Sequence, residues 1–278
     1  MDLAKSEKLT SRIKDLAKRL GADLVGFVTR ESLEGGPPST DLAYVLPEAK
    51  SAVVFAISLD QSKIEPFISK KDFSSFNINN VRTNTLASGI SLDVAKYLEM
   101  KGYVSIALNA NIDYRKDTPG GVLDELPPIS HRYLAARSGI GFFGFSGNLL
   151  TKEYGAAVIL GSVVTTAELV PTEPASPDDN YCDQCKVCSA VCASGYMNPN
   201  EMISVEMGGY KFSYSKRRHH WRCDYVCGGF SGLHKSKKWS TWSPARFEIP
   251  EEDEAFAEAF FKAGPAYKKR PKSDVGFY

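Results

Sequence analysis

No cysteine occurs in this 278-residue chain before Cys182, and no stretch of eighteen apolar residues occurs anywhere in it. The second absence leaves nothing to cross a membrane as a helix. The N-terminus, MDLAKSEKLTSRIKDLAKRLG, lacks the continuous apolar segment of a secretory signal and lacks twin arginines, so a cytoplasmic protein is expected, where thiols stay reduced. A dominant charge is missing too. Lys and Arg total 34 against 33 Asp and Glu, which excludes a global field for nucleic acid or a membrane surface and leaves only local runs. No internal repeat is evident. With 43% hydrophobic residues, the chain can bury a sizeable core as one large domain or as a domain plus a small module.

What is present is concentrated. All six cysteines lie from Cys182 to Cys227, and Cys182, Cys185, Cys188 and Cys192 stand at C-x2-C-x2-C-x3-C in YCDQCKVCSAVC, the spacing of ferredoxin-type iron–sulfur ligation. Two-residue gaps let successive thiolates turn inward around one cubane, while the fourth is aimed at a different cluster in two-cluster ferredoxins. A partner cysteine is therefore needed, and Cys223 and Cys227 in HHWRCDYVCGG are the remaining candidates. Two other readings compete. Disulfide frameworks belong to short secreted chains. Zinc also takes CxxC pairs, usually two separated ones. Three evenly spaced cysteines plus a fourth fit [4Fe–4S] electron transfer better than either.

Leu9, Ile13, Leu16, Ala17 and Leu20 recur at helical spacing with Gly21 at the cap position, predicting a helix over residues 6–20. ADLVGFVT follows as a strand, and Ser51 to Leu59 is a continuous apolar run, as in a strand buried on both faces. Residues 60–84 read as polar and irregular. Leu86, Ile90, Val94 and Leu98 mark a second helix ending at Gly102; Tyr103 to Ala110 is a strand, SHRYLAARSG a short helix, and Ala156 to Ala167 strand-rich. This alternation suggests an α/β layer. Pro171 to Asp179, PTEPASPDD, reads as a linker. The expected division is a core over 1–170, an iron–sulfur module over 171–235 and a polar C-terminal extension over 236–278 containing Trp239, Trp242 and Phe247.

Gly139, Gly141 and Gly144 satisfy GxGxxG, but that fingerprint binds a dinucleotide only when it leaves a strand and opens a helix, and here the order is reversed. A helix cap with a tight turn, or a loop that lets backbone approach a flat cofactor, remains for Gly139 and Gly141. Asp124 and Glu125 before LPPISHR are either ordinary loop carboxylates or a proton supply in a cleft. His131 and Arg132, which open a helix, fit a buried or a solvated structural role. Lys216, Arg217, Arg218, His219, His220 and Arg222, with Lys235, Lys237 and Lys238 beyond, read as a solvated face or as a docking surface for an acidic electron donor or RNA. Lys268, Lys269, Arg270 and Lys272 read as a loose tail.

From GADLVGFV through the cysteines, and above all in HRxxAxxSGxG, a downstream Tyr-Gly strand and the ferredoxin run, the chain resembles the epoxyqueuosine reductase and reductive dehalogenase superfamily. The resemblance implies an α+β fold in which a nitroreductase-like α/β core binds cobalamin over a ferredoxin-like module with two [4Fe–4S] clusters. Carried across, Cys182, Cys185, Cys188 and Cys227 hold the cluster nearest the corrinoid, and Cys192 and Cys223 belong to the second. Relatives complete the second cluster with a CxxCxxxC pattern and an upstream cysteine. Here His220 stands first in that pattern and the upstream position falls near Met202, so His220, His219, another residue or no second cluster are the alternatives. Imidazole in place of thiolate raises the potential. Ala193 replaces an expected proline.

Glu125 falls where the reductases place a catalytic aspartate, which makes it a candidate proton donor. The turn Gly139, Gly141, Gly144, Ser146, Gly147 and Asn148 is the expected cofactor contact. The missing C-terminal helical repeat disfavours tRNA as substrate, and the missing export signal disfavours respiratory dehalogenation. The expectation is a cytoplasmic, cobalamin-dependent iron–sulfur reductase fed by a low-potential donor such as ferredoxin or flavodoxin, acting on a small organic substrate with Glu125 or a tyrosine as proton source. The alternatives are a non-enzymatic electron-transfer or corrinoid-handling protein, and a fold retained without a cofactor in its core.

Overall fold

The computed structural model describes residues 3–110, 113–243 and 245–269. Their contacts divide the chain into two compact units: residues 1–61, 79–182 and 204–213 form the first, and 62–78, 183–203 and 214–278 the second.

The first unit is built on a four-stranded sheet of β1 (Leu24–Thr29), β2 (Ser51–Ser58), β3 (Ser105–Leu108) and β6 (Val158–Thr165), in the order β1-β2-β6-β3. Every pairing is antiparallel, with Val25 opposite Phe55, Phe55 opposite Gly161 and Ala107 opposite Val163. The helix–strand alternation in the sequence thus produces an α+β layer and not a parallel sheet, because short 3-10 turns, not a crossover helix, connect β1 to β2. Ser51 to Ile57 are all buried, as the unbroken apolar run predicts.

Pleating sends alternate residues to opposite faces. Val25, Phe27, Val53, Phe55, Ile57 and Val163 pack with Ile13 and Ala17 of α1 (Leu3–Arg19) and with Ala87, Ile90, Val94 and Leu98 of α3 (Ser74–Met100). Full burial of a side chain such as Phe55 stabilises by about 1.5–3 kcal/mol. The opposite face receives α4 (His131–Arg137), against β1, β2 and β6. Gly26 is required there, since a Cβ would stand 2.4 Å from Ser138 Oγ. Two-residue strands β4 (Phe142–Phe143) and β5 (Leu149–Leu150) close a turn after α4.

Two expectations change. Residues 60–84 contain α2 (Ile64–Ile68) and the start of α3, whose first turn is capped by Asp72 accepting the N–H of Ser75 at 3.1 Å; the polar Asn77, Asn79 and Asn80 hide the helical period. The proline-rich stretch from Pro171 is no free linker: the Thr172 hydroxyl donates to the carbonyl of Ser138 at 2.7 Å, and the Phe27 N–H donates back to that hydroxyl at 3.0 Å. Polar composition signals exposure, but one threonine suffices to lay the segment along β1.

The second unit holds α2, α5 (Val187–Ala190), α6 (Trp221–Cys227) and α7 (Phe256–Lys268). A hairpin of β7 (Met197–Met207) and β8 (Tyr210–Arg217), turned by Gly208 and Gly209 at φ 54° and 82°, contributes its base here and its tip to the first unit. Tyr225 of α6 stacks on Phe230 at 5.2 Å and meets the edges of Phe256 and Phe260 of α7, so the C-terminal segment supports the helix that carries two cysteines. Trp242 packs on Phe67 and Phe73 at 5.7 and 5.3 Å and donates its indole N–H to the Phe67 carbonyl, which places residues 62–78 in this unit. Arg270 and Lys272 lie outside the described residues. Among the described residues no helix is long and apolar enough to cross a membrane.

Candidate functional site

In the first unit α4 fixes the site. His131 is buried, with Nδ1 2.7 Å from Ser162 Oγ of β6 and Nε2 3.0 Å from the carbonyl of Asn109. A carbonyl only accepts, so Nε2 carries the proton and the Ser162 hydroxyl donates to Nδ1. Burial pushes the His131 pKa down and keeps the ring neutral. Arg132 sends its guanidinium to the carbonyl of Gly147 at 2.9 Å and lies over the Tyr133 ring, so it sets the turn that follows the helix.

Within that turn, three glycines have packing reasons. Gly139 has φ 75°, and a Cβ on it would lie 2.3 Å from the carbonyl of Glu173; at Gly141 it would lie 2.3 Å from that of Leu150, and at Gly144 2.7 Å from Leu150 Cδ1. Their small size is taken up by the chain's own neighbours. Half-buried Ser146 and exposed Asn148 flank Gly147, itself at φ 72°, and the Asn148 N–H donates to Ser146 Oγ at 3.2 Å. The same turn reaches a cysteine: the Phe145 N–H donates to Cys182 Sγ at 3.2 Å. Beside it, the Tyr181 hydroxyl donates to the Thr151 carbonyl, and burial followed by the Cys182 charge raises its pKa.

Glu125 ends a 3-10 turn over Gly121–Asp124, in the left-handed region at φ 50°, half-buried and with Oε2 buried. Arg115 steadies this loop. Its N–H donates to the Leu126 carbonyl at 2.8 Å, and its guanidinium meets the Asp117 carboxylate, the Pro38 carbonyl and the face of Tyr44. The hydrogen bond from Arg115 holds the Asp117 pKa down at about 2.

The other five predicted thiols lie in the second unit. Cys182 and Cys185 each donate an N–H to the side-chain oxygen two residues earlier, of Asn180 and Asp183. Gln184 and Lys186, the residues flanking Cys185, have φ 57° and 62°. Non-glycine residues adopt this left-handed conformation at a cost. All six cysteines are free thiols. A set of free thiols at this spacing fits an iron–sulfur cluster. On α6, the Cys223 and Cys227 sulfurs are 3.5 Å apart, and their hydrogen bond raises the pKa of Cys223 while lowering that of Cys227.

The solvated reading of the basic run fails for Arg222, which is buried, ion-paired with Asp253 and bonded to the carbonyls of Ser194, Pro250 and Glu251. Lys216, Arg218, Lys235, Lys237 and Lys238 are exposed. His131 and Arg132 were visible in the sequence as a motif, but their hydrogen bonds were not; Phe145 carries no chemical signal, because it acts through its backbone.

No family model matches the chain. An epoxyqueuosine reductase of Gloeobacter violaceus is 24% identical over 204 residues, covering 66% of this chain and 59% of the relative. Curated homologues of this chain are named epoxyqueuosine reductase. The chain spans little more than half the length of the epoxyqueuosine reductases it matches along most of its own length. A solved epoxyqueuosine reductase of Bacillus subtilis superposes with a TM-score of 0.52 at 18% identity, over 83% of this chain and 59% of that one. A reductive dehalogenase, whose structure is described as suggesting a mechanism for B12-dependent dehalogenation, superposes at 0.60 and 18% identity over 96% of this chain and 35% of that one. These superpositions show a shared mixed helix-and-sheet fold, and the homologues are oxidoreductases by name.

Proposed function

We propose that the chain is a cobalamin-dependent iron–sulfur reductase acting on a small organic substrate. The observation that carries this reading is the hydrogen bond from Phe145 to Cys182, which joins the turn after α4 to the first thiol of the ferredoxin run. When bound, the cluster supplies single electrons and the corrinoid a strongly reducing cobalt.

The chain's own residues do the rest. Cys182, Cys185, Cys188 and Cys227 hold the first cluster, as the resemblance implies. The Phe145 N–H stabilises charge on the Cys182 sulfur, one of the means by which proteins set cluster potentials. Ser146, Gly147 and Asn148 offer polar groups to the edge of a corrinoid, and Arg132 keeps that turn in shape through the Gly147 carbonyl. Gly139, Gly141 and Gly144 let the turn close without steric conflict. Glu125 holds the proton delivered to substrate. A low-potential ferredoxin or flavodoxin is the electron donor, and the compartment is the cytoplasm.

The test is anaerobic reconstitution with iron, sulfide and cobalamin, followed by reductive titration in the visible and by EPR. Bound cobalamin that becomes reduced after the cluster supports the proposal; a protein that takes up no cobalamin while holding its cluster overturns it. Bound cobalamin with no turnover of any candidate substrate points instead to corrinoid handling.

A further inference from the structure

Helix α6 and its N-cap residue present four donors at i, i+3, i+4 and i+7: His220, Cys223, Asp224 and Cys227. This spacing puts an imidazole, a carboxylate and two thiols on one helix face. We propose that His220 is an iron ligand, its Nε2 joining Cys192 and Cys223 in an iron–sulfur cluster of mixed thiolate and imidazole ligation, with Asp224 as the residue that orients the ring. The inference rests on the reading of the cysteine run as an iron–sulfur site.

The ring orientation is the first support. Nδ1 of His220 is buried, with Asp224 Oδ1 3.4 Å away, and Tyr196 lies edge-on to the ring at 5.6 Å. At 3.4 Å the contact is an ion-pair distance and not a formed hydrogen bond; a carboxylate on that side of the ring favours the proton on Nδ1 and the Nε2 lone pair for metal, as in ligating histidines. His219 is engaged differently: its Nδ1 accepts the Trp221 N–H at 3.3 Å and its ring packs on Trp221.

The second support is the bracing of Cys192. Its sulfur lies 3.3 Å from Ser194 Oγ. The carbonyl two residues before it, of Ala190, accepts Nε2–H of His234 at 2.9 Å; the carbonyl two residues after it, of Ser194, accepts Arg222 of α6 at 3.4 Å. The His234 tautomer is settled because its Nδ1 accepts the Ser236 N–H. Cys192 is thus held from both sides, and Arg222 ties it to the helix that bears His220. A neutral imidazole in place of a thiolate makes the cluster less negative and raises its potential.

The experiment compares the full chain with His220→Ala, His220→Cys and His219→Ala after anaerobic reconstitution with iron and sulfide. The readouts are metal content, nitrogen hyperfine coupling in pulsed EPR of the reduced protein, and midpoint potential. The native chain is expected to show imidazole nitrogen coupling, retained in His219→Ala and absent from both His220 variants. His220→Ala should lose about four of about eight irons, while His220→Cys keeps them and is reduced at lower potential. Iron and sulfide in the native chain without nitrogen coupling, or coupling that survives in His220→Cys, overturns the assignment. A native chain that binds neither iron nor sulfide fails earlier, at the reading of the cysteine run itself.

Discussion

The backbone N–H of Phe145 donates to the sulfur of Cys182 at 3.2 Å, bridging 37 residues of sequence. Cys182 is the only thiol of the run that falls within the sheet-bearing unit. Substituting Cys182→Ala removes the first proposed cluster ligand and one modest hydrogen bond. Iron content should fall while far-ultraviolet circular dichroism stays native, with a stability loss of about 1 kcal/mol by urea titration. A collapse of the fold would mean that Cys182 is a core residue first and a ligand second.

The glycines of the turn make an opposite forecast. Gly139→Ala and Gly141→Ala each force a Cβ against a backbone carbonyl at 2.3 Å, and at Gly139 the positive φ adds strain. Each should destabilise by about 1–3 kcal/mol in urea unfolding. Unchanged stability with lost cobalamin binding would show that the cofactor, and not Leu150 or Glu173, needs the missing side chain.

His131 gives the fold a pH dependence. Its pKa is depressed in the folded chain by burial, so above the unfolded value of about 6.5 both states are neutral and the full stability is present. As pH falls from there towards the depressed folded value, the unfolded chain binds a proton that the native one refuses, and stability drops. His131→Gln should flatten that slope and cost about 1–3 kcal/mol at neutral pH, because a buried partner at Ser162 or Asn109 loses its hydrogen bond. Urea midpoints from pH 7.5 down to about 5 are the check.

Glu125→Gln should leave iron and cobalamin content unchanged and slow turnover by about 100- to 10,000-fold. Retained turnover would remove the proton-donor role and shift attention to Tyr181, whose hydroxyl now donates to Thr151.

Much of the fold was legible because hydrophobic period survives burial: Ile13 and Ala17 of α1, the run from Ser51, and Ile90, Val94 and Leu98 all stand where the pattern put them. Residues 60–84 were not, since Asn-rich helices carry no apolar stripe and Trp242, far along the chain, supplies their packing. The spacing of the cysteines is legible in the sequence alone. The groups around them are not, because Phe145, Ala190 and Ser194 act through backbone atoms, and nothing within a basic run marks Arg222 as the partner of Asp253.

The central claim is that this chain carries electrons on iron–sulfur clusters. Iron, acid-labile sulfide, zinc and cobalt measured on one anaerobically reconstituted sample test it most directly. About eight irons with matching sulfide, together with bound cobalt, are predicted. Zinc in place of iron, with no sulfide, would contradict the account.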